Sequence, residues 1–223
     1  MKRIVDHMLW ISLIIFSTQV FGQNAVPAGT ILPVQLNSSI NSRKIKSGQV
    51  ITARVMQDIP LSTKAKIRAG AKVIGHIEEV DRGRVSIRFD ALMVSKRRIP
   101  ITANLRALAS MMAVDQAQIP ESGPDRGTTE NDWVTERVGG QSINVSLLRV
   151  THQPGTMCRG EVAGNDHPQA LWIFSSDACG AYGFGDLSIT HAGRTKPVGE
   201  IMLASNHGNV NVRAGSGMLL RVD

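Results

Sequence analysis

Apolar and polar residues alternate with a period of two along most of the chain. Leu32, Val34 and Leu36 enclose Pro33 and Gln35, and Ile51, Ala53 and Val55 enclose Thr52 and Arg54. Val85, Ile87 and Phe89, set between Arg84, Ser86, Arg88 and Asp90, form the cleanest run. Ile99/Ile101/Ala103/Leu105, Ile143/Val145/Leu147, Val210/Val212 and Met218/Leu220/Val222 continue the pattern. Successive side chains of a strand point to opposite faces. The pattern therefore predicts antiparallel strands with one face on a core and the other in water. Asp81-Arg82-Gly83 and Asn206-His207-Gly208 read as hairpin turns. One stretch departs from the rule. Leu108–Gln118 is rich in helix formers and stops before Pro120, which predicts a single short helix.

Three segments that lead into strands resemble one another. Val26-Pro27-Ala28-Gly29-Thr30 precedes Leu32, Ile67-Arg68-Ala69-Gly70-Ala71 precedes Val73, and Val212-Arg213-Ala214-Gly215-Ser216 precedes Met218. Each runs apolar, Pro or Arg, Ala-Gly, small residue, strand. Glycine there suits a turn that needs positive φ or close backbone approach. Similar turns at similar structural points predict one closed β architecture, and their irregular spacing excludes a solenoid.

Between about Pro120 and Lys196 the texture changes. Glu121 to Arg137 is polar and broken by Gly123-Pro124, Arg126-Gly127 and Gly139-Gly140 beyond it, which reads as a long loop. Both cysteines, Cys158 and Cys179, follow. So do Trp172, Phe174, Tyr182 and Phe184. Alternation returns from Gly199. The reading is a mainly β fold, an antiparallel barrel or sandwich-like domain over 23–120 and 197–223, with an insertion over 121–196. An isolated cysteine pair in an oxidising compartment closes into a disulfide, contributing about 3 kcal/mol in the chain-entropy model. Redox or metal-binding pairs are expected at closer spacing.

The start of the chain sets the compartment. Lys2 and Arg3 precede the apolar run Met8–Phe16, which is followed by Ser17-Thr18-Gln19 and Val20-Phe21-Gly22. That run is well short of the roughly 20 residues of a spanning helix, so 1–22 reads as a signal peptide cleaved after Gly22. No cysteine follows at the point where a lipid anchor would attach. The expected location is periplasmic, outer-membrane-associated or secreted. Loss of Lys2, Arg3 and Asp6 lowers the formal charge from +7 to +6. A basic surface favours anionic partners, an envelope protein or polymer or peripheral membrane contact. Nucleic acid is not expected, because Arg43-Lys44-x-Lys46 and Lys96-Arg97-Arg98 have no aromatic neighbour to stack a base.

The run Val26-Pro-Ala-Gly-Thr through Ser42, and the later Ile67-Arg-Ala-Gly-Ala through Gly75, resemble the β-barrel domain of TrbI-type channel proteins of conjugation and type IV secretion. The resemblance implies a barrel whose first strand follows Pro-Ala-Gly-Thr, a similar lead-in one hairpin later, and a closing strand matched by Gly215 with Met218 to Val222. It covers about 80 residues at the start and about 25 at the end. Family members also carry an inner-membrane helix, a proline-rich stretch and a hydrophobic helical pair. Leu105 to Val114 is too short for that pair and is interrupted by Arg106. The resemblance thus implies a barrel module without a channel. The whole also resembles uncharacterised exported bacterial proteins that share Ser175 to Gly180.

Candidate chemistry lies in the insertion. Asp166 and His167 have the residue types of an acid/base pair, and His167, His191 and Asp177 those of metal ligands. No H-x-x-x-H or H-x-H spacing supports the second reading. Gly215-Ser216-Gly217 lacks the spacing of a nucleophile elbow, and Gly180-x-x-Gly183-x-Gly185 stands outside a strand-to-helix context. Trp172, Phe174, Tyr182 and Phe184 read either as a sugar- or peptide-stacking patch or as a small core around the cysteines, with Ala170–Phe174 as a buried strand. Arg194 and Lys196, near His191, suit an anionic ligand. The binding candidates are Trp172, Tyr182, His167 and Arg194, with no cofactor, and the disulfide is Cys158 to Cys179. The function expected is a non-catalytic interaction domain, with a secreted hydrolase or metal-dependent enzyme as the rival.

Overall fold

The computed structural model describes residues 25–63, 65–118, 138–139, 170–176 and 178–223. Residues 1–22, read as a signal peptide, lie outside them, as do Ile143–Leu147, Cys158, Asp166, His167 and Asp177.

Among the described residues, fourteen strands and one helix run in the order β1 (Ile31–Leu36), β2 (Ile40–Asn41), β3 (Val50–Val55), β4 (Ile59–Pro60), β5 (Lys66–Ile67), β6 (Lys72–Asp81), β7 (Arg84–Val94), β8 (Arg97–Pro100), β9 (Ala103–Ala109), α1 (Met111–Gln118), β10 (Gly180–Tyr182), β11 (Leu187–Ala192), β12 (Glu200–Ser205), β13 (Asn211–Val212) and β14 (Gly217–Val222). A ten-stranded sheet takes the order β10-β9-β14-β1-β3-β6-β7-β12-β11, with β8 on the C-terminal half of β7. Its two ends, β10 and β11, return alongside one another without being paired. The sheet is a nearly closed barrel. The first and last strands are antiparallel neighbours, Ile31 opposite Arg221 and Gln35 opposite Gly217.

Inward side chains fill the barrel. Leu32, Val34, Ile51, Ala53, Val73, Ile77, Val85, Ile87, Phe89, Leu105, Leu203 and Leu220 are fully buried in one cluster. The described interior is packed by its own side chains. Gly75 makes room at a crowded point of the wall. A methyl group there would stand 2.3 Å from the Arg88 carbonyl oxygen and 2.9 Å from the Phe89 ring.

The three similar lead-ins are the same structure three times. The N–H of Thr30, Ala71 and Ser216 donates to the carbonyl three residues back, at 3.2, 3.1 and 3.2 Å. Gly29, Gly70 and Gly215 have φ of 86°, 84° and 91°, the third-position value that a type II turn demands. Each glycine N–H donates to the last carbonyl of the adjacent strand: Val222 of β14 at 2.8 Å, Val55 of β3 at 2.7 Å, Leu36 of β1 at 2.8 Å. Those same last residues donate back to Thr30, Ala71 and Ser216 at 2.8–2.9 Å. β1 and β14 each begin on the other's end, so the turns clasp the two termini of the barrel.

Several expectations are corrected. Ile99 to Leu105 is not one strand but parts of β8 and β9, separated by Ile101 and Thr102. Asn206–Gly208 closes no hairpin, because β12 is flanked by β7 and β11, while β13 leaves to pair with β2. The helix begins at Met111, not Leu108, because Leu108 and Ala109 are taken by the ladder with Met218 and Gly217. Ser110 starts it: its Oγ accepts from the Ala113 N–H at 3.1 Å. Ala170–Phe174 is a turn, with Trp172 at φ +54° and the Phe174 N–H donating to the Leu171 carbonyl.

One-sided burial also fails in part of the sheet. β1, β9 and β14 are buried on both faces. A bulge in β9 at Arg106 keeps Leu105 and Leu108 inside the barrel and turns Ala107 and Ala109 outward. With Ile31 and Leu219 these residues form a second cluster, closed over by Val114 and Ala117 of α1 and by Ile173, Phe174, Ala178 and Tyr182. The strands Gly180–Tyr182 and Leu187–Ala192, within the span read as an insertion, extend the main sheet.

Candidate functional site

Of the binding candidates, His167 lies outside the described residues. Tyr182 is buried, 3% exposed, and its hydroxyl turns back to accept from the Cys179 N–H and to donate to the Cys179 carbonyl, each at 2.8 Å. Phe174 is fully buried beside it, and Phe184 packs on the barrel cluster. Between the two readings of the aromatic group, these rings take the core. Trp172 differs: it is half-buried, and its backbone N–H donates to Gln57 Oε1 at 2.8 Å. Arg194 is half-buried in the turn after β11. His191 serves that same turn. Its Nδ1 accepts from the Gly193 N–H and its Nε2 bonds Thr195 Oγ1, both at 3.0 Å. No cluster of three His, Cys, Asp or Glu suited to a metal occurs among the described residues.

The structure gathers charge elsewhere, on the outer wall of β3, β6, β7 and β8. One group forms where the sheet divides, with β12 leaving β7 near Arg88 and β8 joining it at Ala91. Glu78 and Asp90 are the extra residues of two bulges between β6 and β7. His76 sits between them, Nδ1 3.0 Å from Asp90 Oδ2 and Nε2 3.2 Å from Glu78 Oε1. Arg88 donates from Nε to Glu78 at 2.6 Å and from Nη1 to the Val198 carbonyl at 2.7 Å. Arg98 holds the other side of Asp90 at 3.2 Å. The Arg88 guanidinium, and after it His76, hold the Glu78 carboxyl below the usual glutamate range. Such a carboxylate is an ion-pair partner and not a proton donor at neutral pH. The group ties three strands and a loop together.

The second group is a row. Cross-strand partners share a face, and reading outward residues across the registers gives Gly217, Gln35, Arg54, Lys72, Met93 and Arg98 on β14, β1, β3, β6, β7 and β8. The Trp172 ring stands at one end, 3.1 Å from where a Gly217 methyl would lie. Gln35 passes a hydrogen bond along the row, accepting from Arg54 at 2.6 Å and donating to the Gly215 carbonyl at 3.0 Å. Arg54 and Lys72 are exposed and have no acidic partner among the described residues. The β7–β8 turn adds Lys96 and Arg97 at the far end, with Ser95 and Lys96 both at positive φ.

Sequence reasoning missed this wall. Arg54, Lys72 and Arg98 are separated by 18 and 26 positions and enter no common motif. The available signal was the alternation itself: each stands on the polar phase of its strand. No helix among the described residues is long and apolar enough to cross a membrane. No protein-family model matches the chain, and no curated protein does.

Proposed function

We propose that the chain is an exported, non-catalytic β-barrel scaffold whose outer wall contacts another macromolecule of the cell envelope, stapled by a Cys158–Cys179 disulfide. The observation that carries the reading is the distribution of polar groups. The barrel interior is filled by apolar side chains, and the open wall of β3, β6, β7 and β8 carries charges that bond one another or face solvent. An enclosed scaffold with a cationic outer face suits contact and not turnover. The staple is supported by the sequence, in which an isolated cysteine pair in an oxidising compartment closes into a disulfide. A relation to TrbI-type barrels is supported by the pairing of β1 with β14 and by the same turn ahead of each of those strands, the arrangement that the resemblance implies.

The test is crosslinking of the full chain in envelope fractions. A discrete crosslinked species is expected, reduced by charge reversal at Arg54, Lys72 and Arg98 and unchanged by Asp166→Ala or His167→Ala. Recovery of soluble monomer alone, or loss of the crosslinked species in the Asp166 and His167 variants, overturns the reading.

A further inference from the structure

We infer that the row from Trp172 to Arg98 binds a linear polyanion made of sugar rings, an acidic polysaccharide. This deepens the scaffold reading and rests on it, since it names the chemistry of the partner that the wall contacts.

Adjacent strands stand about 4.8 Å apart, so Lys72 is one step from Arg54 and Arg98 is two steps further. Cations at such intervals match acid groups carried on successive rings of an extended glycan. Met93, Ile74 and Thr52 lie between and beside them, partly exposed and largely apolar, which suits the C–H faces of pyranose rings, while Arg98 also holds Asp90. Trp172 ends the row with a half-buried ring, and an indole face is a good platform for a sugar. Gln35 lies between the ring and Arg54 and offers amide hydrogen bonding to hydroxyls, although its present bonds run to Arg54 and Gly215.

Two other polyanions fit less well. A bilayer is planar, whereas the row follows a convex barrel wall and would meet a flat surface at one or two cations. A single-stranded nucleic acid needs aromatic platforms among its cations, and the outward positions of β3, β6 and β7 carry none.

The experiment measures binding of the full chain to polygalacturonate, with dextran, DNA and phosphatidylglycerol vesicles as comparisons. Variants are Arg54→Gln/Lys72→Gln/Arg98→Gln on the wall and Arg43→Gln/Lys44→Gln/Lys46→Gln as a control of equal charge. Polygalacturonate should bind and dextran should not. The wall variant should lose about ten-fold or more and show a shallower salt dependence, while the control changes about two-fold or less. Trp172→Ala should weaken binding without flattening the salt dependence, and Trp172→Phe, which keeps a ring, should retain most of it. Equal losses in the two triple variants, equal binding of dextran, or preference for DNA or vesicles overturns the inference. Failure to bind polygalacturonate while the envelope crosslink persists refutes the glycan and leaves the scaffold reading intact.

Discussion

The barrel has two outer faces built on one interior. On the open side, β3 and β6 alternate as the sequence does, with Ile51, Ala53, Val73 and Ile77 inward and Val50, Arg54 and Lys72 outward. On the sheathed side, β1, β9 and β14 turn Ile31, Ala107, Ala109 and Leu219 outward into a second apolar cluster. Burial on one face is enough to make a strand, and burial on both marks where the chain returns to cover it. The open face is left for charge. The described cover is a helix of eight residues and the turn at Leu171–Phe174, with Val138, Ala178 and Tyr182 beside them.

One charge placed on each outer face separates the two sides most sharply. Leu219→Asp puts a carboxylate beneath the sheath without a partner. It should cost about 4 kcal/mol or more, or prevent folding, as read by chemical denaturation. Val50→Asp, on the open face and 61% exposed, should change stability by about 0.5 kcal/mol or less. Similar effects for the two would refute the distinction.

Phe89→Ala tests what both sides share. The ring is fully buried, so the loss should be about 3–5 kcal/mol, seen as a lower denaturation midpoint with an unchanged slope. The clasping turns come next. Gly29→Ala, Gly70→Ala and Gly215→Ala should each cost about 1–2 kcal/mol for a side chain at positive φ. Gly215→Ala should be the worst, because its methyl would also meet Met111 at 3.1 Å, where the other two sites are open. Ser110→Ala removes the cap of the sheath's helix and should cost about 1 kcal/mol.

The smallest effect belongs to the open wall. Glu78 has its carboxyl held below the ordinary value of 4.5, first by Arg88. A depressed carboxylate contributes stability that is present above that ordinary value and is lost as pH falls through the folded-state one. Thermal melts from pH 6 down to pH 3 should show a modest decline in midpoint that Glu78→Gln flattens. An identical decline in that variant would place the acid sensitivity elsewhere.

Much of the barrel was legible. The runs at Leu32–Leu36, Ile51–Val55, Val85–Phe89 and Met218–Val222 are strands because alternation reports which phase meets the core. The Ala-Gly lead-ins were legible as turns of one kind, since only glycine adopts that φ freely. Their partners were not legible. Nothing local says that Gly29 will find Val222. The split of Ile99–Leu105 was hidden for the same reason: its alternation is continuous, and only the handover from β7 to β14 divides it. Tyr182 and Trp172 looked alike in sequence, yet one became core and the other a rim residue, according to where the chain turned over β14.

The order of residues alone indicates the long alternating strands, their inward faces and the turns that start three of them, because these follow from covalent geometry and the period of burial. Which strands lie side by side was settled only when the chain closed on itself. Closure also settled which polar side chains, scattered along the chain, align as one cationic row, and which strands are covered twice. Register is a property of pairs, and hydrogen bonding between distant segments is not written in either segment alone.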